Sequence, residues 1–345
     1  MKLNFSTFFD KNYLSKGVIL IESLEKYLED FTIYVICIDK FTEEYFSENK
    51  NIYKNVITLT IADLEENDTE LQNAKTNRST IEYYFTLSPC IPLYLLKKYN
   101  LDHICTLDAD IKFYSSPVEI FNYLKENSII ITPHKFSEEL KTLESFGKYN
   151  VSFQIFKNDV TGLKCLNLWK KQCLNWCKDY NDAENSRYAD QRYLDDWTDL
   201  YKDKVKVLND AVSGLAPWNL NNYRITKNQK GEFLSNNKKL IFFHFHHFKF
   251  HHKNWASNGF YTYKVKYKKE LKILYTGYWE DNFCIVNKLN IILNNNLREK
   301  KSFALKKLIH TEITLFLKLT KNKFVYIDVT KINPILKRII LFLYA

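Results

Sequence analysis

The stretch His103-Ile-Cys-Thr-Leu-Asp-Ala-Asp110 decides how this chain is read. Its first five residues form an apolar run that predicts a buried strand over 103–107, and the run ends in two carboxylates separated by one small residue. Alternation brings Asp108 and Asp110 near each other at the strand's end, which is where open α/β sheets bind their ligands. Carboxylate oxygens are hard donors suited to Mg²⁺ or Mn²⁺, and such an ion can bridge a diphosphate. A lone D-x-D also arises by chance in surface turns, so the strand in front of it gives this one its weight.

Outward from that strand, apolar runs and helical patterns alternate. Strands are predicted at 3–7, 32–38 and 55–61 and an amphipathic helix at 16–28. A long helix at 79–98 is expected to bend or break at Pro89 and Pro92. After Asp110 come a helix at 117–125, strands at 129–132 and 151–156, helices at 159–177 and 189–197, and strands at 205–208 and 240–245. The alternation predicts a mostly parallel, Rossmann-like twisted sheet flanked by helices. Beyond residue 264 the pattern turns helical, with Leu305, Leu308, Ile309, Ile313 and Phe316 on one face and lysines off it, so a catalytic domain over 1–263 and a basic helical extension over 264–345 are expected.

Composition limits the chemistry. The chain has 345 residues, 46% of them hydrophobic and 16% aromatic, enough to bury a sizeable core. It has only 7 glycines, at 17, 147, 162, 214, 231, 259 and 277, and none are spaced as GxGxxG or GxxxxGK, which excludes a glycine cradle for phosphates. Any nucleotide must then be held by a metal or by side chains. The 7 cysteines show no CxxC spacing and read as buried free thiols of a reducing compartment. No signal peptide or spanning helix is evident, so a cytoplasmic location is expected. The net charge of +10 is concentrated in the tail, where residues 264–345 carry 17 Lys/Arg against 6 Asp/Glu. With only 6 arginines in the whole chain, nucleic acid is not the expected partner. The tail, including Ile335-Leu-Lys-Arg-Ile-Ile-Leu-Phe-Leu343, reads either as a solvated, lysine-biased helical subdomain packed on the core or as a contact with an anionic membrane surface.

Three further groups bear chemistry. Five of the 8 histidines fall within nine residues, at 244, 246, 247, 251 and 252. His244 and His246 alternate with Phe243 and Phe245 and are expected on one face of a strand, where imidazole beside carboxylates would favour Mn²⁺. An edge of stacked histidines or a dinuclear HxH hydrolase site would use the same residues. Asp190-Gln191 stands at a predicted helix start, where Asp190 also suits an N-cap, and Asn150-Val-Ser152 heads an inner strand.

Together, Phe5-Ser-Thr-Phe-Phe-Asp10-Lys-Asn-Tyr13, Arg78-Ser-Thr-Ile-Glu-Tyr-Tyr84, Leu107-Asp-Ala-Asp110, Tyr149-Asn-Val-Ser152, Asp190-Gln-Arg-Tyr-Leu-Asp-Asp-Trp197, Gly214-Leu-Ala-Pro-Trp-Asn219 and Phe243-His-Phe-His246 resemble, in order, bacterial nucleotide-diphospho-sugar transferases of the GT-A fold similar to glycosyltransferase family 8. The resemblance covers roughly residues 3–250. It implies metal ligation by Asp108, Asp110 and His244, a nucleoside pocket lined by Phe8, Asp10 and Tyr13, and Arg78 near the diphosphate or donor sugar. It also implies Asn150, Asp190 and Gln191 at the reaction centre and Trp218 and Asn219 near the acceptor. The expected donor is a nucleotide-diphosphate sugar, a UDP-sugar first. The expected acceptor is a saccharide or glycolipid in cell-surface glycan or lipopolysaccharide synthesis. Retention is implied; inversion with Asp190 as base, a sugar-nucleotide hydrolase or nucleotidyltransferase, and a non-catalytic binding module are the alternatives. The family's HxxGxxK pattern is altered, with His247 in the glycine's place and Lys249 one position early. That leaves the basic group beside the diphosphate unassigned and sets His246 in competition with His244.

Overall fold

The structure, a computed structural model, describes residues 2–252, 255–266, 268–289, 314–320 and 323–328. The chain divides into two compact units, one of Met1–Leu215 with Lys239–His244 and one of Ala216–Lys238 with Phe245–Ala345.

The first unit is built on strands β1 (Leu3–Phe9), β2 (Phe31–Cys37), β3 (Val56–Thr60), β4 (His103–Leu107), β6 (Ile129–Pro133), β7 (Tyr149–Lys157) and β8 (Val205–Val207), with the short β5 (Ile111–Phe113) outside the main sheet. The sheet order is β3-β2-β1-β4-β7-β6-β8, parallel except where β7 runs antiparallel to β4 and β6. The expected mostly parallel sheet is therefore present. All seven residues of β2 are buried, the mark of a strand covered on both faces. The order grows one way from β1 through β2 to β3 and then the other way through β4. Direction thus switches between β1 and β4, and the crevice beyond their carboxyl ends is the favoured ligand site of such sheets.

Helices α1 (Leu14–Glu25), α2 (Lys40–Glu48), α3 (Ile61–Glu65), α4 (Thr69–Thr76), α5 (Thr80–Lys98), α6 (Val118–Phe121), α7 (Val160–Asn175) and α8 (Trp197–Tyr201) complete this unit. Their starts follow from local chemistry. Asp39 accepts from the Thr42 amide, Asp159 from that of Gly162, and Ser79 and Glu82 form a capping box. Helix α5 continues through Pro89 and Pro92, so of the expected bend or break the break does not occur. Burial of Leu87, Ile91, Leu95 and Leu96, in one core cluster with Ile104, Phe156 and Trp169, outweighs the two missing amide donors. The helix expected at 189–197 is instead a 3₁₀ turn over Arg192–Asp196 followed by α8. Ala189 has a φ of 45°, and the Trp169 indole donates to the Asp190 carbonyl, so the chain leaves helical geometry where the pattern begins.

In the second unit, β9 (Ile225–Lys227) and β10 (Phe233–Ser235) pair antiparallel, and the chain returns to the first unit through β11 (Lys238–Lys239) and β12 (Phe242–His244). Strands β13 (Lys249–His252), β14 (Trp255–Ser257), β15 (Thr314–Thr320) and β16 (Lys323–Asp328) form an antiparallel sheet. Helix α9 (Lys269–Lys288) buries Leu274, Tyr275 and Tyr278, with the Tyr278 ring stacked on Phe245 at 3.7 Å. The helical expectation after 264 holds for α9 and fails at Phe316, which lies in β15. Leu305, Leu308, Ile309, Ile313 and 335–343 lie outside the described residues. Among the described residues, no helix is long and apolar enough to cross a membrane, and all seven cysteines are free thiols.

Candidate metal centre

Asp108 and Asp110 stand immediately after β4, as expected, and His244 reaches them through β12. That strand pairs antiparallel with β5, setting His244 opposite Ile111, the residue after Asp110. One donor atom from each of Asp108, Asp110 and His244 lies within 4.8 Å of the others. His244 Nε2 is 2.9 Å from Asp110 Oδ1 and 3.6 Å from Asp108 Oδ2. Asp110 and His244 are buried, whereas 38% of the Asp108 side chain stays exposed, so the group opens to solvent on the Asp108 side. Two carboxylates and an imidazole on a rigid floor are a donor set that fits a divalent cation.

Electrostatics agree with that fit. Burial pushes the Asp108 carboxyl up to about 6, against the pull of His244 and with the push of Asp110. Burial would lower the His244 imidazole, but the Asp110 charge, its hydrogen bond and Asp108 outweigh this and raise it. The cluster keeps its protons more readily than isolated groups would, and a cation entering it would release them.

Of the other expected residues, Phe8 shares a cavity with Asp108, and Asp190 feels the charge of Asp108. The Asp108 amide donates to the Ser152 carbonyl at 2.9 Å, placing the head of β7 beside the cluster. There Asn150 Oδ1 accepts from the Ser152 amide, while buried Asn150 Nδ2 has no hydrogen-bond partner among the described residues. Asp190 is buried and its carboxyl is pushed up to about 7, chiefly by burial, with Ser88 and nearby amides opposing and the charge of Asp108 adding. Gln191 donates to the Phe146 carbonyl at 2.8 Å. Phe8 and Asp108 line one small cavity with Thr7, Ser88 and Gln154, and Phe8 meets Tyr84 edge-on. Asp10 accepts from the amide and the side chain of Asn12 and so shapes the turn into α1. The Tyr13 hydroxyl is raised by burial and then by the charges of Asp110, Asp108 and Asp10.

Arg78, Trp218 and Asn219 have partners of their own, and His246 is not in the donor group. Arg78 donates to Thr86 of α5 and to the Leu174 carbonyl of α7, fastening the two helices. His246 does not share a strand face with His244, because β12 ends at His244 and His247 turns the chain with a φ of 61°. It lies in the second unit against Trp218 and His247, and the donor group closes without it. Trp218 and Asn219 also belong to the second unit, where Asn219 Oδ1 caps the Ala216 amide at 3.0 Å.

Two residues were not anticipated. Lys16 is buried, with Nζ 3.4 Å from Asp110 Oδ2 and 4.1 Å from the centroid of the Tyr13 ring. The available signal was its spacing from Tyr13, three residues apart at a helix start. His134 is buried, stacked on Phe136 at 4.6 Å, and its imidazole is pushed down to about 3 by burial, with His244 contributing, so it is neutral.

No family model matches the chain. It is 27% identical over 277 residues to YfnD, an uncharacterized protein of Bacillus subtilis strain 168, spanning 80% of this chain and 87% of that protein. It is 28% identical to YfnF of the same organism over 249 residues, spanning 70% and 80%. Similar solved structures include mouse xyloside xylosyltransferase 1 (TM-score 0.43, 14% identity, 63% of this chain and 87% of that one). Others are the glycosyltransferase GlyE of Streptococcus pneumoniae TIGR4 (0.41, 16%, 62% and 47%) and the galactosyltransferase LgtC with donor and acceptor sugar analogs (0.45, 14%, 70% and 86%). The chain's own site is a group of Asp108, Asp110 and His244 that could hold a cation, at the switch point of a mostly parallel sheet.

Proposed function

We propose that this protein is a metal-dependent glycosyltransferase of the GT-A kind. It moves a sugar from a nucleotide-diphosphate sugar, a UDP-sugar first, to a saccharide or glycolipid acceptor. The observation that carries the reading is the convergence of Asp108, Asp110 and His244 beyond the ends of β1 and β4, in a chain with no glycine cradle for phosphates. A Mn²⁺ or Mg²⁺ ion held there would neutralise charge growing on the departing diphosphate, an effect typically worth several kcal/mol. Asp108 and Asp110 then serve electrostatics instead of acid-base chemistry. Phe8, Asp10 and Tyr13 border the nucleoside side, while Asn150, Asp190 and Gln191 border the sugar.

Transfer with retention needs no strong base, and Gln191 would then supply a dipole near the anomeric carbon. Inversion is a second reading, favoured by one observation: the buried Asp190 carboxyl is pushed up to about 7, a value matched to a general base at neutral pH. The anomeric configuration of the product, read by proton NMR, separates the two. An acceptor on a growing surface glycan or lipopolysaccharide, met at the cytoplasmic face of the membrane, suits the basic region after residue 264. Undiminished liposome co-sedimentation of the chain cut after residue 263 would remove that part of the reading.

The test is thermal stabilisation by UDP, GDP, CDP and their sugars, with and without Mn²⁺, in wild type and Asp110→Asn. Ligand at a hundredfold its Kd adds about 2.7 kcal/mol. A Mn²⁺-dependent shift with one nucleotide, lost in the variant, is expected. Failure of every nucleotide to give a shift would transfer the case to a metallohydrolase or a binding module.

A further inference from the structure

We propose that Lys16 is the basic residue that couples cation loading to diphosphate loading at this site. It disfavours the bare cation and favours the cation together with a nucleoside diphosphate. The proposal rests on the reading of the site as a nucleotide-diphosphate centre. Arg78, the other basic residue considered for this site, donates to α5 and α7. Lys16 is the lysine that the fold sets against a carboxylate of the donor group, 3.4 Å from Asp110 Oδ2 while Asp110 Oδ1 faces His244.

Its position is built rather than incidental. The next residue is Gly17, where a Cβ would come within 2.3 Å of the Phe9 ring at the end of β1. Only a glycine lets α1 lie so close to that strand, and this approach carries Lys16 to the Asp110 side of the crevice. The Tyr13 ring covers the ammonium from the other side, an arrangement that tolerates a cation where solvent is scarce. Burying a lysine costs desolvation and side-chain entropy, so an apolar residue would serve a purely structural role better.

Charge gives the consequence. Asp108 and Asp110 together offer a divalent ion two negative charges, and Lys16 cancels one of them. A bare cation therefore meets a weakened site. A diphosphate arriving with the cation restores the missing negative charge and meets a second positive group in Lys16. Removal of the ammonium should move the two affinities in opposite directions, which loss of packing alone would not do.

The experiment is calorimetric titration at pH 7.5 of Mn²⁺ alone, and of UDP, GDP and CDP in saturating Mn²⁺, into wild type, Lys16→Met, Lys16→Gln and Lys16→Arg. The neutral variants should bind Mn²⁺ alone about tenfold more tightly and the preferred nucleotide about tenfold more weakly. Lys16→Arg should stay near wild type in both. A circular dichroism melt identifies which neutral variant is folded, and either one suffices. Affinities that fall together, or nucleotide affinity unchanged in a folded neutral variant, would overturn the proposal and leave the transferase reading standing. Wild type that binds Mn²⁺ but no nucleotide would overturn both.

Discussion

Replacing Asp190 by asparagine should make the protein more stable, and more so as pH rises. The carboxyl is buried and pushed from its ordinary 3.8 to about 7. A carboxyl with a native pKa above its unfolded value holds its proton more tightly when folded. Its contribution to folding is therefore neutral below about pH 4, grows unfavourable between about 4 and 7, and is fully unfavourable above 7. A shift of about three units at 1.36 kcal/mol each bounds the penalty at about 4 kcal/mol. Asparagine keeps the shape without the charge, at a cost of about 1–3 kcal/mol if its amide lacks a partner. The expected net gain is about 1–3 kcal/mol at pH 8, vanishing or reversing near pH 4.5. Urea unfolding of both proteins at pH 4.5, 6 and 8, followed by tryptophan fluorescence, measures the difference directly. Other titrating groups are common to both and cancel. A difference that stays constant or shrinks as pH rises would refute the reasoning. The same variant should lose transfer activity, stability being exchanged for a functional charge.

Cation affinity should rise with pH, and go on rising above 7, because the His244 imidazole is held above its ordinary 6.5 and must lose its proton to ligate. Between pH 7 and 5 it should fall about tenfold through Asp108 alone, and further through His244, because both must shed protons to ligate; calorimetry with Mn²⁺ across this range checks it. Gly17→Ala should destabilise by about 1–2 kcal/mol despite alanine's better helix propensity, since the added methyl meets the Phe9 ring; denaturant midpoints would show this. His247 occupies left-handed backbone at a φ of 61°, so His247→Gly should be tolerated within about 0.5 kcal/mol and His247→Val should cost about 1–2 kcal/mol, compared by thermal melts.

The parts of this protein legible in its sequence are those decided locally. The strand at 103–107 and the carboxylates after it could be read because an apolar run and its abrupt end lie within eight residues. His244 was visible as one of five histidines, but preferring it to His246 requires knowing that β12 stops at His244. Lys16 faces Asp110 from a remote segment, so only its spacing from Tyr13 hinted at it. The misread helix at 189–197 was undone by the indole of Trp169, a contact that no local pattern contains. Phe316 shows a different failure. Thr314-Leu-Phe-Leu-Lys-Leu-Thr320 supplies apolar residues to either period, and pairing with β14 and β16 settles it as a strand.

The late arrival of β12 has a bearing on how the chain is made. Residues 216–238 belong to the second unit, so the first unit is interrupted in sequence and regains its last strand only at Phe242–His244. During synthesis, Asp108 and Asp110 emerge long before the imidazole that faces them. Until then β5 is an unpaired edge beside two close carboxylates, a nascent surface open to mispairing. Completion of the cation site is thus also the closing event of the first unit's folding, and a ribosome-bound chain halted before Phe242 should expose that edge to protease.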